Sequence, residues 1–436
     1  MIKREELYLY ILVLLMSVSL LVMRLNGSDN IYYYSYIFII TSLFYLIIAW
    51  LILRGDFEFR SLLFLLGIGI IFRVLLLELN PIGSDDVFRY IWDGKVQANG
   101  INPYLYEPNN PALTFLHTIS LPSLINFANM PTIYFPLSEI LFFIAYLIGG
   151  ESIIGIKLLI ILFELGTIFI IYKYLTENNI SIKYSLLYVL SPLPIFQFII
   201  DSHVDIFGIF FTALFFYLYF GNKKFGAFIA LGLSIAIKPT IGLFLPILFL
   251  YEEKWKERIK SIIIPIAVTA ILFIPYIINA NPFNALIIFS KNWMYNGFVF
   301  DIINMVLRDN QESRMISGGL FIISYLILLF ANYGLRDKLY FSVILLLIFS
   351  PVVHPWYVLW LVVILPFVPK WSGIIFAATI CVTSITMLIY KNLGMWIEFK
   401  MLVFFEYLPV IVFLIIELRR GIRKPYFINH LRKIFS

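Results

Sequence analysis

The chain is 436 residues long and 61% hydrophobic, with 13% charged residues and a formal net charge of +6. A water-soluble domain of this length carries about a quarter of its residues as charges, so the composition excludes one and points to a polytopic membrane protein. The single cysteine, Cys381, excludes a disulfide framework and a cysteine metal site.

A helical span takes about 20 apolar residues. The expected fold is therefore all-α, one membrane domain over 1–436, with room for roughly 10–13 helices and one substantial loop. Apolar runs at 7–25, 35–53 and 61–79 open the chain, the first preceded by Lys3 and Arg4 and reading as a retained helix. Gly27-Ser28-Asp29-Asn30 and the basic turn Arg54 to Arg60 separate them. The positive-inside rule puts that basic turn and the N-terminus in the cytoplasm. Three crossings then deliver residues 80–135 to the extracytoplasmic side. This loop opens with Gly83-Ser84-Asp85-Asp86 and is broken by Pro81, Pro103, Pro108, Pro111, Pro122 and Pro131. Its best helix runs over Val87 to Ala98, stopped by Asn99-Gly100.

Residues 136–149 have a length at which interfacial segments outnumber spans. If they lie at the outer interface, 153–172 runs inward, Lys173 and Lys183 fall inside, and the turn Asp201-Ser202-His203-Val204-Asp205 emerges outside. Lys223 and Lys224 then also fall inside, and 225–250 is a broken hairpin bent near Lys238-Pro239. If 136–149 spans instead, four lysines land outside. The lysine placement favours the first arrangement. A span at 261–279 leads to a second outer loop, 280–316, holding Trp293-Met294-Tyr295-Asn296-Gly297 and Asp301. The run 317–333 returns inward, and 339–368 is a hairpin broken at Pro351 to Tyr357. Spans at 372–390 and 401–418 precede a basic cytoplasmic tail, 419–436, that suits anionic lipid and not nucleic acid.

In this arrangement Asp85 and Asp86, the Asp201-His203-Asp205 turn, Lys238 and His354 fall on one side. Ionisable groups near a membrane are costly to desolvate, so they face a cavity and pair with one another or with a charged ligand. Carboxylates beside cations suit transfer from a lipid-borne phosphate donor to a hydroxyl: the carboxylate takes the proton and the cations hold the departing phosphate. Each residue also has a structural reading. Asp85 and Asp86 suit a helix cap, and Arg89 is spaced to pair with Asp86. Asp93 and His203 suit a turn or core contact, His354 a donor to free carbonyls, and Lys238 a snorkelling side chain. Glu164 has Lys157 two turns earlier and reads as its ion-pair partner. Asp201, His203 and Asp205 give only a weak metal signal. No cofactor is expected, and a divalent metal is left open.

Gly83 to Gln97, followed by Gly100-Ile101-Asn102-Pro103-Tyr104, resembles the first outer loop of bacterial C-fold glycosyltransferases, the mannosyltransferase-like proteins around glycosyltransferase family 87. Pro131 to Leu137 is similar to the family's Tyr-Pro-Pro segment, with Phe135 in place of the first proline. Ser202-His203-Val204-Asp205 resembles its Gly-His-x-Asp turn, Ala236-Ile237-Lys238-Pro239 its Lys-Pro break, and His354-Pro355-Trp356-Tyr357 its outer hairpin. Trp293 to Gly297 fits Trp-x-Phe-Asn-Gly with Tyr for Phe. The resemblance implies an inverting membrane hexosyltransferase of the cell envelope that takes a mannose-like sugar from a polyprenyl phosphate and delivers it to a lipid or glycan acceptor outside the cytoplasmic membrane. It implies Asp85 or Asp86 as general base, Asp86 being the weaker choice if Arg89 holds it. Lys238, with Arg89 or His354, would bind the donor phosphate, and Asp93, His203, Asp205, Trp356 and Tyr357 would form the substrate pocket. The competing class is a transporter or lipid flippase, which also uses broken helices and intramembrane charges; the chain lacks its paired inverted halves.

Overall fold

The computed structural model describes residues 3–26 and 30–421. The regular structure of these residues is all helical, with no strand among them; one isolated bridge joins Tyr295 to Val352. Three long helices open the chain, α1 (Arg4–Asn26), α2 (Ile31–Arg54) and α3 (Phe59–Leu76). In α1 the residues Leu9, Val13, Met16, Leu20 and Met23 recur every three or four positions and are buried against α2 and α3, while Leu14, Val18 and Leu25 face outward. A helix whose outer face is as greasy as its inner one is built for lipid. Among the described residues, 7 helices are long and apolar enough to cross a membrane, or 8 counting the pair Ile182–Val189 and Pro192–Ile200, bent by 46°. The remaining apolar helices of the expected larger bundle are shorter, because prolines and polar turns break them.

The loop after α3 folds as α4 (Asp86–Ala98), ending at Gly100 with φ 74°, and then runs irregularly to α5 (Pro136–Gly149) and α6 (Ile154–Glu177). α4 and α5 lie together: a Cβ on Gly94 would sit 2.3 Å from the Phe142 carbonyl oxygen, so only glycine permits this approach. Gln97 Nε2 donates to Glu139 Oε2 near one end of α5 (2.9 Å), and Lys95 pairs with Glu151 just beyond the other (2.7 Å). Both ends of α5 therefore stay beside α4, which fits the interfacial reading of 136–149.

Contacts across the bundle fix which turns share an end. Lys3 Nζ donates to the Asp56 carbonyl (3.2 Å) and Lys183 Nζ to the Gly55 carbonyl (2.8 Å), so Lys183 sits with the basic turn and the N-terminus. At the opposite end, Lys157 near the start of α6 donates to the carbonyls of Leu77 and Ile199 (both 2.9 Å). The turn at 201–205 shares that end with residues 80–86. This is the arrangement with the lysines together.

The expected Glu164–Lys157 pair does not form. Lys157 is taken up by backbone carbonyls, and Glu164 instead meets Arg73 of α3 at 2.6 Å, with both side chains fully buried. Tyr188 donates to the same carboxylate (2.6 Å), and Arg73 Nη1 to the carbonyls of Gly69 and Val189 (both 2.8 Å). Arg73 lies within the apolar run 61–79, and no local pattern points to its distant partner. Helix Lys224–Ile235 stops before Lys238-Pro239 and resumes as a 3-10 turn and helix Phe244–Tyr251, the expected break. Helices Leu335–Phe349 and Pro355–Val362 flank the second break. The segment 280–316, expected as a second outer loop, holds helices Asn284–Asn292 and Phe298–Leu307. The last helix runs Lys400–Gly421; most of the basic tail, 422–436, lies outside the described residues.

Candidate active site

A cavity of about 770 Å³ opens at the end of the bundle that carries the 80–86 and 201–205 turns. Asp85, Asp86, Arg89, Asp205, Lys238 and His354 all reach its walls, as do Trp356 and Tyr357. His203 and Asp93 are buried behind them and do not line it.

The two aspartates at the start of α4 have different surroundings. Neither caps the helix by side chain: the Asp86 N–H donates to Ser84 Oγ (3.3 Å), so the serine serves the N-terminus. Asp85 is engaged by Lys391 Nζ at 2.9 and 3.1 Å. Asp86 has no cation this close. Burial, then the negative charges of Asp85, Asp205 and Asp201, push its pKa up to about 7, against the opposing pull of Lys238. Its side chain remains 29% exposed, so a proton can come and go through the cavity. Arg89 does not hold Asp86, contrary to the spacing argument. One turn along α4 its Nε reaches both oxygens of Asp93 (2.9 Å), and Nη1 donates to the Met130 carbonyl (3.0 Å). Its Nη2 is buried without a hydrogen-bond partner.

Asp201 fastens the loop that carries this pair. Its Oδ1 accepts the N–H groups of Ile82 (3.1 Å) and Gly83 (2.7 Å), and its Oδ2 accepts the Tyr34 hydroxyl. A Cβ at Gly83 would lie 2.6 Å from that carboxylate and 2.7 Å from the Tyr34 oxygen, which explains the glycine. Across the cavity, Asp205 Oδ1 accepts from Lys238 Nζ (2.8 Å) and from Trp360 Nε1 (2.6 Å). Lys238 Nζ also lies 3.4 Å above the Tyr357 ring centre, a cation–π contact. Burial lowers its pKa, while Asp205 and Asp86 pull the other way.

His203 stacks on Trp356 with ring centres 3.6 Å apart, and Trp356 on His354 at 4.3 Å. Neither ring nitrogen of His203 has a hydrogen-bond partner; Nδ1 is 3.7 Å from Asp86 Oδ2, beyond hydrogen-bonding range. Burial, helped by Lys238, pushes the pKa of both histidines below the ordinary range, to about 3 for His354. Both are therefore neutral at pH 7. Among the described residues no group of three or more His, Cys, Asp and Glu side chains has a metal-holding arrangement. Asp201 is committed to Ile82 and Gly83, and Asp205 to Lys238 and Trp360, so the His203-Asp201-Asp205 turn does not fit a metal.

Residues 15–252 match the family model described as alpha-(1->6)-mannopyranosyltransferase, N-terminal domain, and residues 313–419 match that of the MptB C-terminal domain. The chain belongs to this mannosyltransferase family. No individual curated protein gives a significant match. Membership makes the protein a C-fold membrane mannosyltransferase of the family 87 type, with a mannose donor and a glycan acceptor, and sets aside the transporter reading. Both matched regions build the mannosyltransferase's cavity: the first supplies Asp85, Asp86, Arg89, Asp205 and Lys238, the second His354, Trp356 and Tyr357.

Several residues that line or support the mannosyltransferase's cavity carry no signal in the sequence. Lys391 lies at the end of an apolar run and reads as an ordinary flanking lysine. Tyr34 is one of three consecutive tyrosines, Tyr32-Tyr33-Tyr34, and nothing marks it out from its neighbours. Trp360 sits in a greasy stretch where an indole needs no explanation. Trp396 carried no motif at all.

Proposed function

We propose that the protein transfers a mannosyl residue, with inversion, from a polyprenyl-phosphate mannose to a hydroxyl of a lipid or glycan acceptor, on the extracytoplasmic face of the cytoplasmic membrane. The observation that carries this reading is the placement of Asp86, a carboxylate with a pKa of about 7, in the same cavity as Lys238 and Arg89. A base works best when its pKa lies near the operating pH. Asp85, neutralised by Lys391, is the weaker candidate for that role.

In this mechanism the acceptor hydroxyl gives its proton to Asp86 as its oxygen bonds to the anomeric carbon, and the bond from that carbon to the phosphate oxygen breaks with its electron pair going to the phosphate. The new charge on the phosphate falls to Lys238 and to the unpartnered Nη2 of Arg89. His354, being neutral, contributes a hydrogen bond and not a charge. Asp93 fixes Arg89, and His203 backs Asp86 and Trp356. The apolar walls, with Trp356 and Tyr357, hold the sugar. An α product made by inversion requires a donor in which mannose is β-linked to phosphate.

The test is to reconstitute the purified protein in lipid nanodiscs and offer polyprenyl-phosphate mannose, the glucose analogue and a nucleotide-linked mannose, with a mannoside acceptor. Transfer from the β-linked polyprenyl mannose alone, giving an α-linked product, supports the reading. Transfer from the nucleotide sugar, or a β-linked product, overturns it.

A further inference from the structure

The aromatic stack in the cavity continues beyond the residues used above. His354 stacks on Tyr295 (4.7 Å between ring centres), Tyr295 contacts Trp396 (5.1 Å), and Trp396 contacts Tyr390 (5.5 Å). A row of rings thus runs from beside the proposed base to the rim. Trp396 is 46% exposed and Tyr390 38%, and both line the cavity.

The cavity lining is mixed in character. Phe127, Ile133, Phe135, Ile237, Leu286 and Phe289 give it apolar surface. The rim segment 391–400 mixes polar side chains, Lys391, Asn392, Glu398 and Lys400, with exposed apolar ones, Leu393, Met395, Ile397 and Phe399, so it combines hydrogen-bonding groups with apolar surface. It is also held in place. Lys391 pairs with Asp85 beside the base, Glu398 accepts the Asn296 N–H (3.2 Å), and Lys400 reaches Asp301 (2.8 Å). Fixed, exposed aromatic faces suit the C–H faces of sugar rings, with nearby polar groups meeting their hydroxyls.

We infer that Tyr390 and Trp396 form the acceptor subsite, a platform that stacks the sugar rings of a mannose-containing glycan and leads its terminal hydroxyl along the ring row to Asp86. This rests on the transferase reading, and it assigns the apolar lining to the donor lipid. The Lys391–Asp85 pair ties the platform to the helix that carries the base.

Binding without turnover tests this independently of catalysis. An α-1,6-linked mannotetraose is titrated into the full-length protein in nanodiscs without donor, with binding read by calorimetry. The subsite predicts that wild type binds, that Trp396→Ala weakens binding by about three- to tenfold, and that Trp396→Phe retains it. The thermal midpoint of Trp396→Ala and its binding of polyprenyl-phosphate mannose, both compared with wild type, serve as the folding control. If wild type does not bind the tetrasaccharide, or if Trp396→Ala raises donor KM and leaves glycan binding intact, the platform is not the acceptor site. Failure of the transferase reading would show differently, as absence of mannosyl transfer by a wild-type protein that still binds the glycan.

Discussion

Lys238 Nζ lies 2.8 Å from Asp205 Oδ1, in the break between two helices at the mouth of the cavity. Trp360 donates to the same oxygen, and the Tyr357 ring lies beneath the ammonium. Asp205 thus holds a partly desolvated cation that has room to take a second anion. A snorkelling lysine would point away to the headgroups, whereas this one is held inward. Replacing it by alanine removes a charge-assisted contact worth about 1.5–3 kcal/mol. Lys238→Ala should raise the donor KM by about ten- to a hundredfold. Donor titration with acceptor held constant measures this.

The raised pKa of Asp86 gives the rate a pH dependence. The group must be ionised to accept a proton, so the active form is lost as pH falls through about 7. kcat/KM should drop about tenfold per pH unit below that point and level off above it. Removing Asp85 by Asp85→Asn takes away the nearest negative charge and should move the inflection downward. A profile for wild type and this variant, in one buffer series, checks both.

The buried Arg73–Glu164 pair is expected to matter for folding and not for catalysis. Losing one partner leaves an unpaired charge among apolar helices, at a cost of about 3–5 kcal/mol. Arg73→Met and Glu164→Gln should each lower the thermal midpoint of the detergent-solubilised protein markedly. The double variant should recover much of the loss. Thermal unfolding of the three variants measures the effect.

The proposed extracytoplasmic placement of the site is open to labelling. Ser202 in the turn is fully buried and a poor reporter, but Ile119 in the same end's loop is fully exposed. In a Cys381→Ala background, Ile119→Cys should react with a membrane-impermeant maleimide in intact cells. Protection in intact cells and reaction only after lysis would put the site on the cytoplasmic side.

Much of this architecture is legible from hydropathy and the placement of lysines. The α4 helix, the breaks at Pro239 and at Pro351 to Pro355, and the shared end of the 80–86 and 201–205 turns all follow from short local signals: glycine, proline and charge. What escaped is partner choice. Arg89 has carboxylates on both sides of it, Asp86 and Asp93, and spacing on a helix allows either; the fold decides by turning Arg89 down α4 toward Met130. Glu164 has Lys157 within helical reach, yet the arginine of a distant helix takes it, because Lys157 is needed by the carbonyls that end α3. Lys391 and Asp85 are separated by most of the chain, and no local pattern links them.

The central claim, that Asp86 removes the acceptor proton, is tested most directly by single-turnover transfer from pre-bound polyprenyl-phosphate mannose in Asp86→Asn, with Asp85→Asn alongside. Asparagine is nearly isosteric and leaves the Ser84 cap in place, so folding and donor binding should persist. The account predicts that Asp86→Asn binds donor normally and transfers about 10² to 10⁴ times more slowly, while Asp85→Asn keeps most of its chemical rate. Near-normal transfer by Asp86→Asn, with the loss falling on Asp85→Asn, would contradict it.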